Sequence, residues 1–350
     1  MGFSRKGPNV AKIKAHSLTG RINPDLMCRA FRNVKRNRGA AGIDKVSIEM
    51  FEANLEQNLL ALMRDLKDRT FQPLPLRRVY IPKGPGQTRP LGIPAVRDRV
   101  AQEVLRQLLS PLFERVFHDD SYGFRPEVAD GNILDLVERF LKAGVMEEGV
   151  FQPTWKGTPQ GGVISPLLAN IALNRLDWQL HEHGCRFVRY ADDFVVLCQN
   201  ETQVQEAVEL VQQCLTSLGL TLSAEKTKTT KFREGFAFLG FVISSWSVAP
   251  RPKSMEKFKT KIRELTPRHH NLDAQVIVKL NRVIRGTANY FATTFSSCGD
   301  LFRGLDRWIR MRLRCMKYKR KSRADNGRLR LKHFRRLGLL ALSDLRPAPA

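Results

Sequence analysis

A chain of 350 residues, 42% hydrophobic, can bury a core and divide into two or three domains. Its 59 Lys and Arg against 34 Asp and Glu leave a formal charge of +25, which favours a polyanionic partner, nucleic acid ahead of an acidic membrane surface. No apolar run approaches a membrane-spanning length, MGFSRKGPNVAKIKAH lacks the apolar core of a signal peptide, and Lys6 spoils Met1-Gly2 for myristoylation. Six scattered cysteines without a CxxC pair suit a reduced, intracellular protein, cytoplasmic and within reach of the nucleoid.

In chain order, LMCRAFRNVKRN reads as a short basic helix, and residues 40–71 as a turn at Gly42 followed by helical spacing through Phe51, Leu55, Leu59, Leu62 and Leu66. PLRRVYIPKGPGQTRPLGIP reads as a hairpin, with strands near Val79–Ile81 and Arg89–Ile93 and with Arg77, Arg78, Lys83 and Arg89 projecting. Residues 98–117 form an amphipathic helix with Val100, Val104, Leu108 and Leu112 on one face. A second helix carries Ile133, Val137, Phe140 and Leu141. In TPQGGVISPLLANIALNRLDWQL a glycine-rich loop leads to Ser165 as N-cap, Pro166 as first helical residue, and a buried face through Leu168, Ala172 and Leu176.

HEHGC brings His181, His183 and Cys185 together, but no second ligand cluster lies nearby in sequence, so it reads as a helix exit. RFVRYADDFVVLC then sets Asp192 and Asp193 between two β-branched and aromatic runs, a tight hairpin with two carboxylates at its tip. Burying adjacent carboxylates costs several kcal/mol unless a cation joins them; an ordinary Asp-rich turn is the competing reading. A helix over roughly 201–218 ends at Gly219, and LSAEKTKTTKF and FAFLGFVIS read as strands. Beyond Arg251 the pattern is helical and basic. Between Arg303 and Arg336 stand fifteen Lys or Arg against two Asp, and Arg307, Arg310, Arg312 and Arg314 interleave with Trp308, Ile309, Met311 and Leu313, as in a helix gripping phosphates.

The ordered set PLRRVYIPKGPGQTRPLGIPAVRDRVAQEVL, DDSYGFRP, GTPQGGVISPLLANI, RYADDFVVL, KTKTTKF and FAFLGF resembles the reverse transcriptases encoded by group II introns. WIRMRLRCMKYKRK looks like the end of that family's maturase domain. The resemblance implies an α+β right-hand polymerase: N-terminal extension and fingers over 1–126, a shortened palm over 127–250, and a helical thumb and maturase region over 251–350. It implies intron RNA, an RNA template with a DNA primer, and dNTPs as partners, Mg²⁺ as cofactor, and no membrane.

Residue by residue, it implies that Asp192 and Asp193 hold catalytic metal and that Lys83 and Arg89 meet the triphosphate. Gln160, Gly161 and Gly162 fall beside the nascent base pair, Lys226 on the stretch that supplies a proton to pyrophosphate, and Leu239 and Gly240 at the primer grip. Arg307, Arg310, Arg312, Arg314, Lys317, Lys319, Arg320 and Lys321 would bind nucleic acid. The chemistry suits these residue types, because phosphoryl transfer uses two divalent ions to clamp attacking and leaving oxygens, and Mg²⁺ prefers carboxylates plus substrate phosphates.

One element of the family pattern is missing. The family places a third carboxylate on a strand between SYGFRP and GTPQGG, in a motif Asp-Ile-x-x-Phe-Phe-Asp, along with the aromatic gate against ribonucleotides. Here only residues 127–156 separate those anchors, and Asp130 and Asp135 neither follow an apolar strand nor precede aromatics. An in-frame deletion joining GFRP to the next helix accounts for this, with Asp119 and Asp120 poor substitutes. Such a chain loses a ligand bridging both ions, and FVVLC is left as an apolar unpaired edge. Two readings stay open: a reverse transcriptase/maturase with impaired polymerisation, and a catalytically inactive RNA-binding maturase remnant.

Overall fold

The Asn23 side chain accepts from Leu26 N, and Pro24 presets the first turn, so α1 (Pro24–Asn37) starts where the sequence supplies both a cap and a fixed φ. A computed structural model describes residues 17–84, 86–113, 128, 130–154 and 161–347. They fall in two compact units, Met1–Ser223 and Ala224–Ala350.

In the first unit, α2 (Ile48–Ala53) and α3 (Leu55–Lys67) share the expected apolar stripe, broken at Asn54, whose backbone is non-helical. β1 (Leu76–Gly84) and β2 (Gln87–Ile93) pair antiparallel, and α4 (Val96–Phe113) follows, buried on nearly every side. Asp130 caps α5 (Gly131–Lys142). Two strands that the hydropathy pattern does not announce come next, β3 (Val145–Glu147) and β4 (Val150–Gln152), turning through Glu148 and Gly149, both at positive φ. β3 pairs parallel with β1, giving a sheet of order β2-β1-β3-β4. α1, α3, α4 and α5 bury one core that includes Phe31, Leu62, Phe71, Val100, Leu105 and Leu136.

α6 (Ser165–Glu182), the hairpin β5 (Arg186–Tyr190) and β6 (Asp193–Leu197), and α7 (Glu201–Ser217) bury a second, smaller cluster around Leu176, Leu180, Phe187 and Val211. Two details of α6 differ from expectation. Its N-cap is Ile164, with no side-chain cap bond, one residue before the expected Ser165, and Val163 N and Ile164 N just ahead of the helix are held by Gln102 Oε1. Ala172 is exposed, and the buried face runs through Leu173, Asn174, Leu176, Asp177 and Leu180.

In the second unit the expected strand at 222–232 is turn and irregular chain, which fits its run of exposed lysines and threonines. FAFLGFVIS is a hairpin rather than one strand: β7 (Phe236–Phe238) and β8 (Phe241–Ile243), joined by β9 (Val248–Pro250) in a three-stranded sheet. Leu239 (φ 47°) and Gly240 (φ 81°) both turn left-handed, as a two-residue hairpin loop requires. α8 (Pro252–Leu265), α9 (Ala274–Phe291), α10 (Gly299–Tyr318), α11 (Asp325–Arg328) and α12 (Leu331–Arg336) complete the unit around Phe258, Leu280, Phe302 and Leu313. No helix among the described residues is long and apolar enough to cross a membrane.

Candidate active site and nucleic-acid interface

Tyr190 pairs with Asp193, so Ala191 and Asp192 form the two-residue loop of the β5–β6 hairpin and both aspartates stand exposed at its tip. Ala191 takes φ 54°, a left-handed conformation that costs a non-glycine residue on the order of 1 kcal/mol or more. The strain is held from below. Arg189, 1% exposed, donates from Nη1 to Ala191 O at 2.8 Å and to Asn170 Oδ1 at 3.0 Å. Its Nε and Nη2 form a two-bond ion pair with the buried Asp177 of α6. Strand alternation explains the arrangement: Phe187 and Arg189 point inward while Val188 and Tyr190 point to solvent.

Among the described residues the hairpin pairs with no third strand. No group of three His, Cys, Asp or Glu gathers among them to hold a metal there. Asp130 is spent capping α5 and accepting from Thr19, which hold its carboxyl below the ordinary value even though partial burial, the largest single influence, pushes it up. Asp135 pairs with Arg139. Asp119, Asp120 and Gln160 lie outside the described residues. The donor set among those described is therefore two carboxylates on one turn. That fits a single Mg²⁺ completed by waters and substrate phosphates, and it is short of a ligand bridging two ions.

Gly161, at the end of the glycine-rich loop, is seated on the β1–β2 hairpin. Gly161 sits at φ +119°, and a Cβ there would come within 2.1 Å of Gly92 O on β2. The buried Gln102 of α4 accepts from Val163 N at 2.6 Å and fixes the loop's exit. Gly161 is thus brought against the strand that carries Arg89. Lys83 and Arg89 are exposed on that hairpin, with Lys83 at an irregularity in the register between Pro82 and Gly84. Such bulges re-aim a side chain.

In the second unit, Tyr290 Oη donates to Leu239 O at 2.7 Å, Ser254 Oγ to Gly240 O at 3.3 Å and Arg251 N to Gly240 O at 2.8 Å. The Leu239-Gly240 turn is therefore clamped from α8 and α9. Lys226 is exposed in a turn rather than on a strand.

Residues 129–243 match the family model described as reverse transcriptase (RNA-dependent DNA polymerase), and residues 255–337 match the group II intron, maturase-specific domain. Protein YkfC of Escherichia coli K12 is 32% identical over 305 residues, covering 62% of this chain and 80% of YkfC. The group II intron-encoded protein LtrA of Lactococcus lactis is 33% identical over 203 residues, 45% of this chain and 33% of LtrA. A 91 kDa protein in a cob intron of Schizosaccharomyces pombe is 25% identical over 409 residues, 77% of this chain and 50% of that protein. The chain belongs to the group II intron reverse transcriptase/maturase family.

Its maturase-specific region carries the cations picked out by sequence, and several of them are engaged by other groups of the protein. Arg312 donates to Thr266 O at 2.6 Å and to its Oγ1 at 3.1 Å, closing the end of α8. Arg314 donates to Leu329 O at 2.9 Å and lies over the Phe334 ring. Lys319 donates to His270 O at 2.5 Å, and Arg320 pairs with the buried Asp325. Lys317 lies over the Tyr318 ring. Arg307, Arg310 and Lys321 make no hydrogen bond or ion pair among the described residues.

Proposed function

We propose that this chain binds intron RNA as a maturase-type protein, and that its polymerase chemistry is impaired by loss of the palm strand that carries the first catalytic carboxylate. The observation carrying the reading is the two-carboxylate tip on a hairpin that, among the described residues, pairs with no third strand. Asp192 and Asp193 hold Mg²⁺, which when bound supplies charge neutralisation for phosphoryl transfer. Lys83 and Arg89 neutralise a triphosphate, Gln160, Gly161 and Gly162 shape the space beside the nascent base pair, Leu239 and Gly240 grip the primer, and Lys226 supplies a proton. These parts are set on fingers (1–126), palm (127–250) and thumb with maturase region (251–350) of a right-hand fold.

Two further facts support a deletion. The reverse transcriptase match begins at residue 129, just past the SYGFRP stretch that ends at Pro126. The alignment with YkfC runs over 305 residues while drawing on 62% of this 350-residue chain, so it opens gaps of several dozen positions on this side.

RNA binding rests on charge spread over many sites, with Arg307, Arg310, Arg314, Lys317, Lys319, Arg320 and Lys321 contributing on the maturase side, whereas Arg312, also picked out by sequence, serves to close α8. It tolerates the loss of one carboxylate. The test is affinity for group II intron RNA as a function of salt, with the protein monodisperse. Each phosphate neutralised on a single strand adds about −0.7 to the slope of log K on log salt. A steep slope with a preference for intron RNA supports the reading; weak, salt-insensitive binding overturns it. Retention of the paired aspartates and the fingers cations keeps a second reading, a competent reverse transcriptase, worth a direct test.

A further inference from the structure

Lys319 ends α10 in a left-handed conformation (φ 56°, ψ 13°), and its bond to His270 O anchors the reversal that follows. The returning loop and the last turns of α10 border a half-open cavity of about 220 Å³. Arg314, Arg320, Lys321 and Arg323 line it, with Met311 and Cys315 also in the wall and no carboxylate in the lining. Met311 Sδ and Cys315 Sγ are 3.6 Å apart and give the cavity an apolar side.

Two of the four cations are held in place. Arg314 is fixed by Leu329 O and the Phe334 ring, and Arg320 by Asp325, which is 1% exposed beneath the loop. Lys321 is exposed and Arg323 lies beside it on the same loop, and both keep all their side-chain donors free among the described residues. Like charges converging on one concavity repel one another and focus a positive field, and an anion relieves both. Guanidinium forks match the spacing of phosphate oxygens. The apolar side formed by Met311 and Cys315 suits a sugar or base beside the phosphate.

We propose that this cavity seats a backbone phosphate of a bound RNA strand, gripped by Lys321 and Arg323 against the fixed guanidinium groups of Arg314 and Arg320. The inference rests on the RNA-binding reading above and gives it a defined seat.

The experiment is fluorescence anisotropy of the full chain with single-stranded RNA across a salt series. Lys321→Ala/Arg323→Ala is compared with Lys332→Ala/Arg335→Ala, which removes equal charge from positions of the same unit outside the cavity. None of these four side chains makes a hydrogen bond or ion pair among the described residues, so both variants keep the wild-type melting temperature. The cavity variant is expected to lose about tenfold in affinity and about 0.7 from the salt slope for each phosphate it no longer neutralises, while the control weakens by less than about twofold. RNAs with 5′-phosphate and 5′-hydroxyl ends separate the two sources of phosphate: equal weakening on both RNAs fits a backbone phosphate. Weakening confined to the 5′-phosphorylated RNA overturns the backbone seat, and equal weakening of the cavity and control variants overturns the seat altogether. If the wild-type chain itself shows no salt-sensitive RNA binding, the underlying reading fails instead.

Discussion

Arg189 and Asp177 form a buried two-bond ion pair directly beneath the aspartate tip, with Nε 2.7 Å from Oδ1 and Nη2 2.5 Å from Oδ2. The same guanidinium holds Ala191 O, so one residue both satisfies a buried carboxylate and fixes the turn that presents Asp192. Arg189→Ala takes the guanidinium away from the buried Asp177 carboxylate and is expected to cost about 3–5 kcal/mol, read from urea denaturation. The paired change Asp177→Leu/Arg189→Met removes both charges and recovers most of that stability. A stability for Arg189→Ala within about 1 kcal/mol of wild type contradicts the assigned role.

How far the sequence revealed this site depends on which residues are asked about. The aspartate hairpin was legible because β-branched and aromatic runs flank a two-residue loop. Arg189 and Asp177 were not, because a hydrophobic pattern cannot register an ion pair that takes two core positions. The Leu239-Gly240 hairpin reads as one strand since leucine does not signal a left-handed turn. Its support comes from Tyr290, 51 residues away. β3 and β4 are three residues each, too short for an alternating pattern to emerge beside the helix before them. Gln102, which holds the glycine-rich loop, is one polar residue inside a helix whose apolar stripe dominates the pattern.

Asp98 gives the first unit a pH dependence. It is 1% exposed, and burial, opposed by its bond from Leu74 N and by Arg97, pushes its carboxyl up to about 7. The unfolded chain ionises near 3.8, so between these values the folded state binds more protons. The contribution of Asp98 to stability is therefore full below about pH 4, falls as pH rises to about 7, and is level above. Asp98→Asn keeps an acceptor for Leu74 N and is expected to flatten that slope in denaturation curves taken from about pH 4 to about pH 8. An unchanged slope places the titration elsewhere.

Gly161 and Gly162 are expected to respond differently to alanine. At Gly161 the left-handed φ costs about 1–3 kcal/mol, and the new Cβ meets the Gly92 carbonyl, which cannot move aside without shifting β2. At Gly162 the nearest atom is Ser165 Oγ, at 2.6 Å, which a rotation relieves. Thermal melts should rank Gly161→Ala well below Gly162→Ala. Equal melting temperatures contradict the seating of this loop on β2.

Arg310 and Arg312 lie two residues apart on α10 and should separate binding from stability. Arg312→Ala uncaps α8 and leaves the buried Thr266 without its donor, at a cost of about 1–3 kcal/mol. Arg310→Ala is expected to stay within about 0.5 kcal/mol of wild type while lowering RNA affinity and the salt slope. Denaturation and RNA titration of both variants check this; the reverse pattern contradicts it.

Whether two aspartates can polymerise without a third carboxylate is decided most directly by primer extension, with purified full chain, RNA template, annealed DNA primer, dNTPs and Mg²⁺, and Asp192→Ala as control. The expected result is no extension above the control while the same preparation still binds intron RNA. Extension by the wild-type chain and not by Asp192→Ala contradicts it, and means that another residue completes the metal site.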